Sequence, residues 1–243
     1  MEEKDKVYTE GIRPQGKFYK WFDNYWYHYK WITIGVIFAI FIVTVCTLQT
    51  CERKKEDTTI LYAGPCQLSV SEMDSIKGVV SAVMPKDYDG DGNKYTGMIE
   101  YWLCSEEQVK DIEASTDEYG AHGYVNRQQL KDNYESYYDY LMAGETAICF
   151  LDPHLYTELK RAGRLLPLVD ALGADSGYEP DDYGIVLGMT AIYEEYSALR
   201  AMPEDTVVCV LRQVVVGRIS NDKNYQNDLE IFEAIVMYSE KEQ

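Results

Sequence analysis

The chain has 243 residues, 46% of them apolar, with 23 basic against 41 acidic side chains and a formal charge of −18 at neutral pH. That length suits about one or two domains. So negative a surface repels phosphate backbones, which excludes nucleic-acid binding by the main domain and argues against its lying flat on an anionic membrane. The charge is also uneven. Residues 1–31 hold six basic groups (Lys4, Lys6, Arg13, Lys17, Lys20, Lys30) and five acidic ones (Glu2, Glu3, Asp5, Glu10, Asp23), so the acidic excess lies beyond them.

Residues 1–30 read as an aromatic and basic tail. Lys17 to Trp31 is crowded with Tyr, Trp and Phe, amphipathic rings that settle at the headgroup level of a bilayer; an aromatic partner-binding tail is the alternative. Residues 31–48, from Trp31 to Leu48, carry no charge. Eighteen helical residues rise about 27 Å, close to the hydrocarbon thickness of a membrane, and predict a single transmembrane helix in contact with the lipid bilayer. Six Lys/Arg precede it, while Arg53, Lys54 and Lys55 follow it closely. The positive-inside rule then places the N-terminus in the cytoplasm and the remainder outside. No A-x-A site follows, and Gln49 stands where a lipoprotein cysteine at Cys51 would need a small residue, so an uncleaved anchor is expected.

A charged spacer, 49–57, leads to an extracytoplasmic domain, 58–243. Thr58–Tyr62 is a short apolar run closed by Ala63, Gly64 and Pro65. Ser69 with Glu72 forms a capping box before a helix striped with Val70, Met73, Ile76, Val80 and Val83, which Pro85 ends. Lys94–Cys104 has strand character. A helix over Asn126–Ala143 places Leu130, Tyr134, Tyr137, Tyr138 and Leu141 at helical spacing, and Gly144 stops it. The strand Thr146–Leu151 runs into Asp152-Pro153, a helix cap and first helical residue, with Gly163 as the stop. The polar stretch 173–183 is a flap or linker. Gly184–Leu187, a helix over Ala191–Ala201, strands over Thr206–Leu211 and Val214–Ile219, and a helix over Tyr225–Tyr238 complete the chain. Short, continuously apolar strands separated by amphipathic helices predict a layered α/β domain with a mainly parallel sheet, buried on both faces.

Of the six cysteines none share a C-x-x-C spacing, and none lie near a histidine at metal-ligand spacing. Cys149 and Cys209 sit inside apolar strands and read as buried thiols; a disulfide among Cys51, Cys66, Cys104, Cys149 and Cys209 stays open. Asp87, Asp89, Asp91 and Asn93, with Gly92 between them, match the opening of a calcium loop, in which alternate oxygens converge on a hard cation. Position twelve of that loop is Met98 rather than a bidentate glutamate, and an acidic glycine-rich turn is the competing reading. Of three histidines, His122 and His154 are the ones available to a catalytic site, and no G-x-S-x-G or similar nucleophile motif accompanies them. No enzyme is expected. The tyrosine group Tyr134, Tyr137, Tyr138 and Tyr140 reads as a core face with its rim, with stacking on sugars as the alternative.

Three stretches carry a family likeness: Thr58–Pro65, Tyr140–Asp152 and Leu159–Leu168. Together they resemble bacterial extracellular solute-binding proteins of the type II periplasmic-binding fold, in which a helix ending in Ala-Gly-Glu or Ala-Gly-Asp leads to a strand tipped by aspartate, then a helix and a Gly-x-Leu-x-Pro-Leu turn. The final helix over Asn221–Met237 is similar to the closing helix of that family. The resemblance implies a membrane-tethered binding module for an unknown small molecule. Since only about 20 residues separate the Gly184–Leu187 run from the Thr206 strand, it also implies a reduced second lobe. A ligand in an open α/β sheet lies at the carboxyl ends of the strands, which nominates Gly64, Pro65, Asp152, His154 and Arg212. The competing expectation is a structural component that contacts another envelope protein.

Overall fold

The computed structural model describes residues 16–51, 56–116, 123–173 and 176–239. They fall into two compact units that divide between residues 54 and 55. The first is built on α1, Lys17–Cys51. Its stretch Trp21–Thr47 is long and apolar enough to cross a membrane, and none of its most apolar window is buried. The aromatic segment expected to lie at an interface is continuous with this helix. Trp21 stacks on Tyr25 and Tyr25 on Tyr29 one turn apart, with centroids at 5.8 and 5.4 Å, the i,i+4 neighbours of a helix surface.

The second unit holds a five-stranded sheet in the order β2-β1-β3-β5-β4. Its strands are β1 (Thr58–Gly64), β2 (Thr96–Trp102), β3 (Ile148–Leu151), β4 (Gly184–Val186) and β5 (Val207–Val210). Between them lie α2 (Val70–Val83), α3 (Glu106–Ala114), α4 (Arg127–Ala143), α5 (Pro153–Arg161), α6 (Leu168–Leu172) and α7 (Ala191–Glu195), and α8 (Asp222–Val236) closes the unit. β1 pairs in parallel with both β2 and β3, whereas β5 runs antiparallel to β3 and to β4. The sheet is therefore α/β but mixed, which corrects the mainly parallel expectation. Continuous apolar runs such as Val207–Val210 report that both faces are covered; they carry no information on strand direction.

Two cores form. On one face Tyr62, Phe150 and Val208 pack against Ile76 and Val80 of α2 and Ile231, Phe232 and Ile235 of α8. On the other, Leu61, Cys149, Leu151 and Cys209 pack against Val109 of α3, Tyr137 and Leu141 of α4 and Leu155 of α5. Cys149 and Cys209 lie opposite each other in the register of β3 and β5, both free and fully buried.

Two further expectations are corrected, and one helix is added. Val214–Ile219 is no strand. Gly217 takes φ +76°, and a Cβ there would strike the carbonyls of Ala143 and Gly144, so the segment bends, leaving Val215 96% exposed, and tightens into a 3-10 turn at Arg218–Ser220. The helix over Ala191–Ala201 breaks at Tyr196, whose φ −104° and ψ 100° are extended, into α7 and a 3-10 turn at Ser197–Ala201. Finally, α3 was not expected: Val109 is its one buried residue, too little for an apolar period, yet Ser105 and Gln108 form a reciprocal capping box that starts it.

An ion pair locks the edge where β1 enters. Asp228, wholly buried on α8, takes Arg218 in a two-pronged contact, Nη1 to Oδ2 at 2.6 Å and Nη2 to Oδ1 at 3.0 Å. Arg218 Nη2 also donates to the Asp57 carbonyl at 2.7 Å, and the Thr58 hydroxyl donates to Asp228 at 2.8 Å. Removing one partner of such a pair leaves a buried charge uncompensated, a loss of about 3–5 kcal/mol. Arg218→Ala is expected to lose about that much in urea denaturation, and a loss below about 1 kcal/mol would show that the pair is not the lock.

Candidate functional site

The three parallel strands β1, β2 and β3 end on one edge of the sheet at Gly64, Trp102 and Leu151, and α2, α3 and α5 begin there. Asp152 stands at the tip of β3. Its N–H donates to the Ala63 carbonyl of β1 at 2.9 Å. Its Oδ1 accepts the backbone N–H of His154 at 3.0 Å and lies 2.7 Å from His154 Nδ1. The other oxygen, Oδ2, accepts the side-chain amide of Gln108 at 2.7 Å. Gln108 is the third helical residue of α3, and its carbonyl oxygen in turn accepts the Ser105 N–H at 2.7 Å. One carboxylate thus ties the first turns of α3 and α5 to two strands. Burial pushes the Asp152 carboxyl up, but the ring and backbone of His154 and the amide of Gln108 pull it down further, so that it ends below the usual carboxylate range.

An ionised Asp152 fixes the His154 tautomer, because Nδ1 must carry a hydrogen to face the carboxylate. Nε2 then points to the Tyr134 hydroxyl of α4 at 2.9 Å, which also lies 3.1 Å from the Cys104 carbonyl. This chain forms one wall of a cleft of about 400 Å³, within the range of small-molecule sites. The cleft is lined by Ser105 and Glu106 at the start of α3, Arg127, Lys131 and Tyr134 on α4, and His154 and Glu158 on α5.

The cationic groups of the cleft are already engaged. Arg127 Nη2 meets Glu113 at 3.0 Å and its Nη1 meets Glu106 at 3.6 Å, while Lys131 meets Glu135 at 3.6 Å. Tyr134 stacks with Tyr138 at 6.5 Å, and the Tyr138 hydroxyl donates to Glu158 at 2.9 Å. Burial pushes the Cys104 thiol up to about 11, which leaves it a poor nucleophile at neutral pH.

Of the residues nominated from sequence, Asp152 and His154 meet at this edge. Gly64 and Pro65 lie there too, but their carbonyls are taken by Leu103 N–H and by the Trp102 indole, each at 2.9 Å, and neither residue lines the cleft. A Cβ on Gly64 would sit 2.9 Å from the Tyr62 hydroxyl, so the glycine is needed for close packing. Arg212 is at the opposite end of the sheet, bonded to the carbonyls of Arg164 and Leu165. An antiparallel β5 carries its carboxyl end away from those of β1 and β3. His122 lies outside the described residues. Arg127 and Gln108 were not foreseen, and Tyr134 was weighed for stacking but not for its bond to His154; the Ser105-x-x-Gln108 box was the available signal for Gln108.

In the acidic loop, the carboxylates that converge are Asp57, Asp87 and Asp89, within 4.8 Å of one another. Asp91 is not in that group, whereas Asp57, from outside the expected loop, is. The carboxylate oxygens are bonded to the loop's own backbone. Asp57 accepts N–H groups of Tyr88, Asp89 and Tyr95, and Asp87 those of Asp89, Gly90 and Gly92. Glu100, too late for the twelfth position, is committed to Leu68 N–H at 2.7 Å. These bonds make the loop a self-capped turn.

Compared with family models, with curated proteins and with solved structures, the chain finds no match.

A carboxyl held below its unfolded value adds stability that is present above about pH 4 and is lost as pH falls through the lowered folded value. Asp152→Asn is expected to flatten that acid limb of the stability profile and to cost about 1–3 kcal/mol at neutral pH through the lost cap and its partners. An acid limb identical to that of the parent chain would contradict this assignment.

Proposed function

We propose that the chain is a single-pass, membrane-anchored, extracytoplasmic binding module that takes a small molecule in the cleft between α3, α4 and α5, in the manner of a solute-binding protein with a reduced second lobe. The observation that carries this reading is the cleft itself, at the carboxyl edge of the sheet, lined by residues that follow β2 and β3 and walled on one side by Tyr134 and by His154, which Asp152 orients. Ligands of open α/β sheets sit at that edge. The apolar helix supplies the anchor, and the basic groups that precede it support a cytoplasmic N-terminus with the α/β domain outside. The Cys104 thiol beside the histidine is held neutral by burial rather than activated, which favours binding over catalysis.

A second reading, an assembly component that contacts another envelope protein, draws on a different part of the molecule. Val215 and Val216 are exposed beside the end of α4, where Met142 is also exposed. The test is a thermal-shift screen of the full chain in nanodiscs against sugars, amino acids and short peptides. A ligand at 100 times its Kd adds about 2.7 kcal/mol to the folded state. The expected outcome is a rise in Tm with one ligand class that Tyr134→Ala removes. A rise that survives Tyr134→Ala would move the site elsewhere, and silence across the screen together with co-purification of a membrane partner would favour the assembly role.

A further inference from the structure

The hydrogen count in the cleft wall does not close. With Asp152 ionised and Nδ1–H directed at it, a neutral His154 presents the lone pair of Nε2 to the Tyr134 hydroxyl at 2.9 Å. The Cys104 carbonyl faces the same hydroxyl at 3.1 Å. One hydroxyl has one hydrogen, and burial pushes the Tyr134 hydroxyl up so that this hydrogen is retained at neutral pH. Whichever acceptor receives it, the other is free to take a hydrogen from solvent or from a bound ligand, on the wall of a cleft open to both. A ligand donor placed there replaces a bond to water inside a partly enclosed site, where hydrogen bonds are stronger. A second aromatic face, Tyr138, stacks beside Tyr134, and Glu158 lies next to both, in a chain of strongly negative charge. Aromatic faces with a nearby carboxylate suit an ammonium group.

We propose that the cleft takes a ligand bearing a primary ammonium group, whose N–H supplies the hydrogen that His154 Nε2 and the Cys104 carbonyl contest. The inference rests on the cleft being the binding site.

The probes are three benzyl compounds of similar size, measured by calorimetry on the full chain in nanodiscs: benzylamine, benzyltrimethylammonium and phenylacetate. The first two share charge and ring, and only the first has N–H donors. Benzylamine is expected to bind at least about tenfold more tightly than the quaternary ion, with phenylacetate weakest. His154→Phe removes Nε2, frees the Tyr134 hydrogen for Cys104, and is expected to bring the two cations to within about twofold. Should that variant fail to fold, the ratio in the parent chain decides. Equal binding of the two cations, or tighter binding of phenylacetate, overturns the inference and leaves the cleft reading standing. If none of the three binds, the inference fails, and the thermal-shift screen shows separately whether the cleft reading fails with it.

Discussion

A single ionised carboxylate at the tip of β3 holds the carboxyl edge of this sheet together. Asp152 is buried, and both of its oxygens are used: one by the backbone and ring of His154, the other by Gln108. Its own N–H closes on β1. Burying a charge is tolerable only when it is paired and hydrogen-bonded, and here the partners that make it tolerable are the first turns of α3 and α5. The consequence runs in order from local chemistry to site. The carboxylate sets the tautomer of His154, the tautomer turns Nε2 toward α4, and Tyr134 is brought into a shared hydrogen bond on the wall of a cleft. Neither α3 nor α5 would present its residues to that cleft in the same way if Asp152 were neutral and unpaired.

The opposite edge is built on different physics. There the bidentate contact between Arg218 and Asp228 pins α8 to the entry of β1, and Asp57, just before that strand, gathers the backbone of the acidic loop. These groups are engaged with one another and with backbone, so they stabilise and leave little capacity for ligand. The contrast matters for function. At the carboxyl edge one hydroxyl faces two acceptors on the wall of a cleft, whereas at the entry edge the carboxylates are served by the protein itself.

Much of this was legible from residue types. The Asp152-Pro153 pair announced a helix start, Ser69 with Glu72 a capping box, and Gly144, at φ +68°, a helix stop. Strand direction was not legible, since Val207–Val210 would be buried whichever way β5 ran; that is why Arg212 was assigned to the wrong end of the sheet. The run Val214–Ile219 has β-branched residues but no partner strand, and Gly217 turns it before one could form. Tyr134 has the spacing of a core residue and is only half-buried. Its second role depends on Cys104 and His154, 30 and 20 positions away, and no local pattern records that meeting. In the acidic loop, too, a distant residue takes part: Asp57, 30 residues upstream of Asp87, joins Asp87 and Asp89, and Asp91 does not.

The most direct test of this account is the protonation of the His154 ring, read by ¹⁵N NMR of histidine-labelled protein with His154→Phe as the assignment control. With Asp152 ionised, the neutral ring is expected to carry its hydrogen on Nδ1, and Asp152→Asn is expected to release that preference. A ring protonated on Nε2 alone in the parent chain, or a tautomer that Asp152→Asn leaves unchanged, would contradict the claim that this carboxylate organises the cleft.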